Sequence, residues 1–175
     1  MDKLDIVTDE SGNEVVLLPE IIFSNKQNIN WDDVEDYLGK YVGELIEIAE
    51  TRDIIYIGNK FPDEYGGSSY TRKTKGARAK AKANAAQGIR EMVEIATDKV
   101  YRENHKEKHS EDAHNGWFYY VTRFAIPLYD NEKKTGEYNV YSACLVVNHA
   151  ANGKMYLYDV VDIKKEASNP LKTIK

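Results

Sequence analysis

The stretch GWFYYVTRFAIPLYD, residues 116–130, is long and rich in aromatic and β-branched side chains, which favours a β-strand. Two segments of the same kind follow it, EYNVYSACLVVNH at 137–149 and KMYLYDVVDIKK at 154–165. The connectors between them, NEKKTG and AANG, are short and turn-like. Because such connections join antiparallel neighbours, the three segments predict an antiparallel meander.

Alternation along these strands predicts which side chains face the core, because successive residues of a strand point to opposite faces. The predicted core face carries Phe118, Tyr120, Phe124, Ile126, Leu128, Tyr141, Ala143, Leu145, Val147, Met155, Leu157, Val161 and Ile163. The opposite face carries polar and aromatic groups, namely Trp117, Tyr119, Arg123, Ser142, Tyr156, Tyr158 and Lys164. This second face is either solvated or a platform on which a planar ligand stacks.

Upstream of the meander the chain is mainly helical in pattern. Asn30 is a good cap for a helix over 31–49, and a second helix is predicted over 75–101. Between them, 54–58 predicts a short strand and 59–76 a turn-rich loop, whereas 4–18 predicts two short strands around a turn. Helices first and sheet last predict an α+β fold. We expect a single domain over 1–175, with an N-terminal β-hairpin or arm at 1–20, a core at 21–165 and a tail at 166–175.

Composition limits the classes of protein to consider. The formal net charge is −5, and the single cysteine, Cys144, excludes an internal disulfide and a cysteine-rich zinc site. No apolar run approaches the ~20 residues of a membrane-spanning helix, and the first residues lack the layout of a secretory signal. These features favour a cytoplasmic protein with no membrane partner.

The segment RKTKGARAKAKANAAQGIR, residues 72–90, contains seven cationic side chains and no acid. At helical spacing the apolar stripe of Ile89, Met92 and Val93 continues backwards into cationic positions. One interpretation is that Asp63, Glu64 or the acidic first helix compensates these charges, or that they are simply solvated. The other is a surface that binds nucleic-acid phosphates, formed by Arg72, Lys73, Lys75, Arg78, Lys80 and Lys82.

The series FPDEYGGSSYTRKTKGARAKAKANAAQGI, HSEDAHNGWFYYVTRFAIP and YLYDVVDIKKEASNPL resembles a domain found in phages and mobile elements of gut Firmicutes. That domain, which is often part of large polyvalent proteins, is similar to the phage branch of the barnase–EndoU–colicin–RelE nuclease superfamily. The resemblance covers roughly residues 20–172. It implies N-terminal helices followed by a four-stranded antiparallel sheet. It also implies RNA cleavage without a metal or other cofactor, in which the ribose 2′-hydroxyl attacks the adjacent phosphate.

Such cleavage requires a proton acceptor, a proton donor and a cation on the phosphate. His109 and His114 are the candidate acid and base because imidazole titrates near neutral pH. Arg123 is the candidate cation. The remaining candidates supply the proton or orient the phosphate, and they are Tyr119, Ser142 and Tyr158.

Each of these residues also has an ordinary structural interpretation. The histidines could be solvated loop residues, and Arg123 could form a salt bridge with Asp159 or Glu166. Ser142 and Tyr158 could be plain strand residues. A zinc site at His105, His109 and His114 is disfavoured by its spacing and by neighbouring lysines.

Three functions follow. The first is a metal-independent RNase that binds RNA through the basic helix. The second is a catalytically inactive relative that inhibits a host defence nuclease, in the manner of an anti-CRISPR protein, by binding the nuclease or its guide RNA. The third is a protein-interaction module. The expected partner is RNA or a ribonucleoprotein complex.

Overall fold

The computed structural model of the chain describes residues 3–24, 28–103, 115–166 and 169–172. Its α-helices are α1 (Trp31–Leu38), α2 (Phe61–Gly67), α3 (Ser69–Lys73), α4 (Gly76–Ala85) and α5 (Ile89–Glu94). Two 3₁₀ turns lie at Gly39–Tyr41 and Ala86–Gly88. The strands are β1 (Ile6–Thr8), β2 (Glu14–Leu17), β3 (Leu45–Glu47), β4 (Ile54–Tyr56), β5 (Thr97–Arg102), β6 (Trp117–Asp130), β7 (Lys133–His149), β8 (Met155–Lys165) and β9 (Leu171–Lys172).

The predicted meander and the α+β fold are confirmed. Strands β6, β7 and β8 are consecutive antiparallel neighbours, and Arg123 of β6 lies directly opposite Ser142 of β7. Helices α4 and α5 cover one face of this meander, where the Thr122 hydroxyl donates a 2.7 Å hydrogen bond to the Met92 carbonyl. None of the helices in the described part of the chain is long and apolar enough to cross a bilayer.

Two short hairpins extend the sheet on either side of the meander. The β1–β2 hairpin pairs in parallel with β6 through Val16 and Phe124, and the β3–β4 hairpin pairs in parallel with β8 through Ile55 and Met155. Val15, Val16 and Leu18 are fully buried. The N-terminal segment is therefore a hairpin integrated into the sheet and not a separate arm.

The predicted core face is confirmed along β6 and β7, where Tyr120, Phe124, Tyr141 and Leu145 are buried. It differs along β8, where Val160 is buried and Val161 is only half-buried. The cause is a pair of register shifts between β7 and β8, because each added residue reverses the alternation.

The predicted helix over 31–49 is too long. Helix α1 ends at Leu38, and Gly43 adopts φ +95°, a conformation that few residues other than glycine tolerate. The Gly43 N–H donates a 2.8 Å hydrogen bond to the Ile57 carbonyl. This turn starts β3, so Leu45, which lies within the predicted helix, is 54% exposed on a strand.

The prediction of a loop over 59–76 is wrong, since α2 and α3 occupy most of it. Pro62 lies in the first turn of α2, where its missing N–H costs nothing. The Ser68 side chain caps α3 by accepting a hydrogen bond from the Thr71 N–H. Phe61 and Tyr65 are buried, and this packing stabilises a helix that would be too short to persist alone.

The second predicted helix, over 75–101, is also too long. It is interrupted at Ala86–Gly88 and ends at Glu94. The following residues form β5, in which Arg102 pairs with Trp117 of β6. Val100, which lies within the predicted helix, is 48% exposed on β5.

Candidate nucleic-acid interface

Four of the six predicted phosphate-binding residues form one exposed surface at the junction of α3 and α4. We call Arg72, Lys73, Lys75 and Arg78 the basic patch. Lys73, Lys75 and Arg78 line a shallow pocket of about 480 Å³ with Tyr70. Arg72 and Lys75 line a second pocket of about 320 Å³ beside Trp31. The patch thus spans two adjoining depressions, and Lys75 contributes to both.

A sharp turn between the two helices creates this surface. Thr74 is extended, its hydroxyl donates to the Tyr70 carbonyl at 2.6 Å, and Gly76 reverses the chain with φ +64°. Lys75 occupies the N-cap position of α4 without a side-chain capping bond. The first N–H groups of α4 therefore receive no cap from Lys75 and lie among cations, an arrangement that attracts an anion.

No carboxylate in the described part of the chain neutralises these cations. Within residues 3–24, 28–103, 115–166 and 169–172, no carboxylate lies within ion-pair distance of any basic-patch residue or of half-buried Lys80. Asp63, one of the acids considered as compensation, lies beside Glu35 of α1 instead. Like charges thus remain together on the surface.

Lys82 is not part of this surface, so its predicted place in an accessible groove is wrong. Its side chain is fully buried, and its Nζ donates a 2.6 Å hydrogen bond to Oδ1 of Asp159 on β8. The Nζ also lies 4.6 Å from the Tyr65 ring centroid and 5.0 Å from that of Tyr70. Burial lowers the pKa of Lys82 and raises that of Asp159, while the contact between the two groups opposes both shifts.

Arg123 lies on the face of the sheet that points away from α5, because its neighbour Thr122 bonds to that helix. Its Nε is 2.8 Å from Oε1 of Glu166, which is one of the two salt bridges considered from the sequence. The basic patch belongs to helices on the other face. Arg123 and the basic patch therefore do not form a single site.

Two further candidates lie on the same face as Arg123. Ser142 is half-buried directly opposite Arg123. Tyr119 precedes Arg123 by four residues on β6, an even spacing that places both side chains on one face. The guanidinium of Arg102 lies 5.6 Å from the Tyr119 ring centroid. Burial raises the pKa of Tyr119, so its hydroxyl is a proton donor and not a base at neutral pH. His109 and His114 lie outside the described residues.

Tyr158 belongs to a different part of the sheet. Its ring meets the Trp117 ring edge-on, with centroids 5.1 Å apart. Trp117 lies opposite Asn148 of β7, and Asn148 lies opposite Tyr156 of β8. Tyr158, Asn148 and Tyr156 all line a pocket of about 240 Å³.

Asn148 is a residue that the sequence interpretation missed. It is 7% exposed, and its Oδ1 is the one buried side-chain nitrogen or oxygen of the described residues without a hydrogen-bond partner. Leaving such an atom unpaired costs about 1–3 kcal/mol. An asparagine within the apolar run CLVVNH was the available signal, because asparagine is depleted in strands.

Comparison of the chain with protein-family models, with curated proteins and with solved structures found no match.

Proposed function

We propose that the protein binds RNA by the phosphate backbone, and that the basic patch is the contact surface. The observation that carries this proposal is the group of four exposed cations around a helix N-terminus that the Lys75 side chain does not cap, with no carboxylate of the described residues within ion-pair distance. Cations near a helix N-terminus cost roughly 0.3–1 kcal/mol each. Bound phosphates remove that cost, because they supply the negative charge that the helix end and the side chains both favour.

The residues around the basic patch also suit a bound RNA strand. Two adjoining depressions share Lys75, so successive phosphates can be contacted along the patch. Tyr70 and Trp31 line those depressions and offer rings on which bases stack. The acidic net charge of the chain is compatible with this role, since the local field decides binding. The proposed site of action is the cytoplasm of a bacterial host, which the resemblance to phage and mobile-element proteins supports.

The proposal is tested by the salt dependence of binding to a fluorescently labelled single-stranded RNA. Each phosphate contact on a single strand adds about 0.7 to the slope of log K against log salt. We expect Lys75→Ala/Arg78→Ala to weaken binding and to flatten that slope by roughly 1.4. The control is Lys133→Ala/Lys134→Ala, which removes two exposed charges from the start of β7. Equal slopes for both double variants would contradict the proposal.

RNA cleavage without a metal is a second candidate function. The observation that favours it is the half-buried group of Arg123, Ser142 and Tyr119 on one face of the sheet. His109 or His114 would accept the proton of the attacking 2′-hydroxyl. Arg123 would stabilise the charge that develops on the phosphate, and Tyr119 would donate a proton to the leaving oxygen. RNA displaces Glu166 from Arg123 in this scheme.

Cleavage is tested with labelled total RNA incubated with the purified chain in the presence of EDTA. We expect products with 2′,3′-cyclic phosphate ends, because the substrate's own hydroxyl attacks. His109→Ala, His114→Ala or Arg123→Ala should each lower the rate about 10²–10⁴-fold. RNA that is bound but stays intact between pH 5 and 9 would reject this candidate and favour the inhibitor of a defence nuclease.

A further inference from the structure

The pocket around Asn148 has its own chemistry, separate from the basic patch. It lies where β4 joins β8, and it is bordered by the start of α2, by the end of β7 and by the start of β8. Its walls combine three aromatic side chains, Phe61, Tyr156 and Tyr158, with the polar side chains of Asn148 and Glu64. Its volume of about 240 Å³ is smaller than the roughly 300–1,000 Å³ of pockets for drug-sized ligands. The occupant is therefore the size of about one aromatic ring system.

The side-chain oxygen of Asn148 indicates which kind of polar group the ligand presents. Its Oδ1 is buried and accepts no hydrogen bond from the described residues. An apolar residue of similar size at this position would avoid the free-energy cost of the unpaired oxygen. The presence of asparagine is therefore better explained by a ligand that pairs with it than by a contribution to folding. The ligand must supply an N–H or O–H donor to Oδ1. The amide nitrogen of the same side chain offers a donor beside it.

The other side chains that line the pocket further limit the chemical class of the ligand. The Tyr156 and Tyr158 rings border the pocket, and the Tyr56 ring backs Tyr156 with centroids 5.7 Å apart. Such walls favour a flat, aromatic ligand. The lining also contains one carboxylate, Glu64, and one cation, Lys60, and the Glu64 carboxylate can accept from a further N–H group of the ligand.

We propose that this pocket binds a nucleobase, with adenine preferred, and that Asn148 reads its edge. Adenine presents an amino donor next to a ring-nitrogen acceptor, which is the arrangement that an asparagine amide pairs with through two hydrogen bonds. The amino group donates to Asn148 Oδ1, and the Asn148 amide N–H donates to the ring nitrogen. The base is either part of an RNA strand or part of a free nucleoside or nucleotide.

The experiment uses the full chain and adenosine, which has no phosphate and so does not depend on the basic patch. Calorimetric titration should show saturable adenosine binding to the wild type. In a ¹⁵N spectrum the side-chain amide of Asn148 should shift along the same saturation curve. Asn148→Leu should weaken adenosine binding about 5- to 150-fold, the discrimination that a bidentate amide–base pair supplies. The melting temperature of this variant should be equal to or higher than that of the wild type, because the unpaired polar atom is gone.

A second variant keeps the test valid if Asn148→Leu does not fold. Asn148→Asp replaces the amide donor with a second acceptor, which suits the adjacent N–H and amino donors of guanine. We expect the preference to change from adenosine to guanosine. A residue with a purely structural role would not produce this reversal.

The source of the base is distinguished with two RNA strands of equal length, oligoadenylate and oligouridylate. If the base belongs to RNA, oligoadenylate should bind more tightly than both adenosine and oligouridylate, and Asn148→Leu should remove only the preference over oligouridylate. If adenosine binds and neither RNA does, the proposed RNA binding fails while the pocket proposal stands. Absence of saturable adenosine binding to the wild type, or an unshifted Asn148 amide, would overturn the pocket proposal.

Discussion

Lys82 and Arg78 lie one helical turn apart on the same stripe of α4, yet one is fully buried and the other is exposed. The difference lies in what each residue meets. Lys82 reaches Asp159 of β8 and the rings of Tyr65 and Tyr70, whereas Arg78 lies beyond them in the first turn of the helix. A buried ammonium is tolerated only with such a set of partners.

The first residue-scale prediction concerns this buried pair. Lys82→Met leaves the Asp159 carboxylate without its cation, so we expect a loss of about 3–5 kcal/mol in the free energy of unfolding. Lys82→Met/Asp159→Leu removes both charges and should recover most of that loss. Urea denaturation of the two single variants and the double variant measures the coupling.

The control for this cycle is Lys80→Met. Lys80 is half-buried on the same helix and has no described ion pair, so its replacement should change stability by less than about 0.5 kcal/mol. Costs of Lys82→Met and Asp159→Leu that simply add would show that the pair contributes no specific interaction.

At this scale the sequence predicted residue positions better than residue partners. Ile89, Met92 and Val93 were correctly predicted as one apolar stripe and are buried, and Arg123 has one of its two expected salt-bridge partners. The partner of Lys82 could not be predicted, because Asp159 lies at a register shift that reverses the facing of β8 residues. Asn148 was missed because a missing hydrogen bond is a property of the folded chain.

At the element scale, α1 and α2 pack closely through Glu35 and Gly66. A Cβ added to Gly66 would lie 2.6 Å from the Glu35 side chain, so glycine permits the approach. Burial and the adjacent Asp63 carboxyl raise the pKa of Glu35 to about 7. The protonated carboxyl can donate a hydrogen bond to Asp63, whereas the ionised one is repelled by it.

This arrangement predicts a pH dependence of stability. The pKa of Glu35 is about 7 in the folded chain and near its ordinary value of 4.5 in the unfolded chain. The folded state therefore binds more protons between these values, and the contribution of Glu35 to stability is full below pH 4.5 and is lost as pH rises through 7. We expect Glu35→Gln to gain stability relative to the wild type as pH rises from 5 to 8.

Thermal denaturation at the two pH values checks this expectation, with Asp33→Asn on the same helix as the control. Asp33 is exposed on α1, and its replacement should shift the melting temperature equally at both pH values. A Glu35→Gln variant that tracks the wild type in parallel across this range would contradict the argument.

Helix lengths were the least predictable feature at this scale. The apolar spacing of 31–49 continues past Leu38, but Gly43 turns the chain and Leu45–Glu47 finds a strand partner in Ile54–Tyr56. Conversely, 59–76 was predicted as a loop from its glycines and proline, and it is helical because Phe61 and Tyr65 pack into the core. In each case tertiary packing outweighed local preference.

At the scale of the whole molecule, the meander was predictable because its strands are neighbours in the sequence as well as in the sheet. The two parallel pairings were not, since nothing local in β2 or β4 identifies a partner far along the chain. The proposed binding surfaces differ in the same way, because one is local in the sequence and the other is not. The basic patch lies within one continuous segment and was visible in the sequence, whereas the Asn148 pocket is assembled from separated segments.

The two parallel strand pairings also determine when the complete sheet can form during translation. Val16 pairs with Phe124, and Ile55 pairs with Met155, and both partners are synthesised much later. Neither hairpin therefore has its partner strand when it leaves the ribosome. The meander can form as soon as its own three strands have emerged, because its contacts are local. Nascent chains therefore expose Val15, Val16 and Leu18 for most of synthesis, and chaperones that recognise apolar strands have their longest opportunity at the N-terminus.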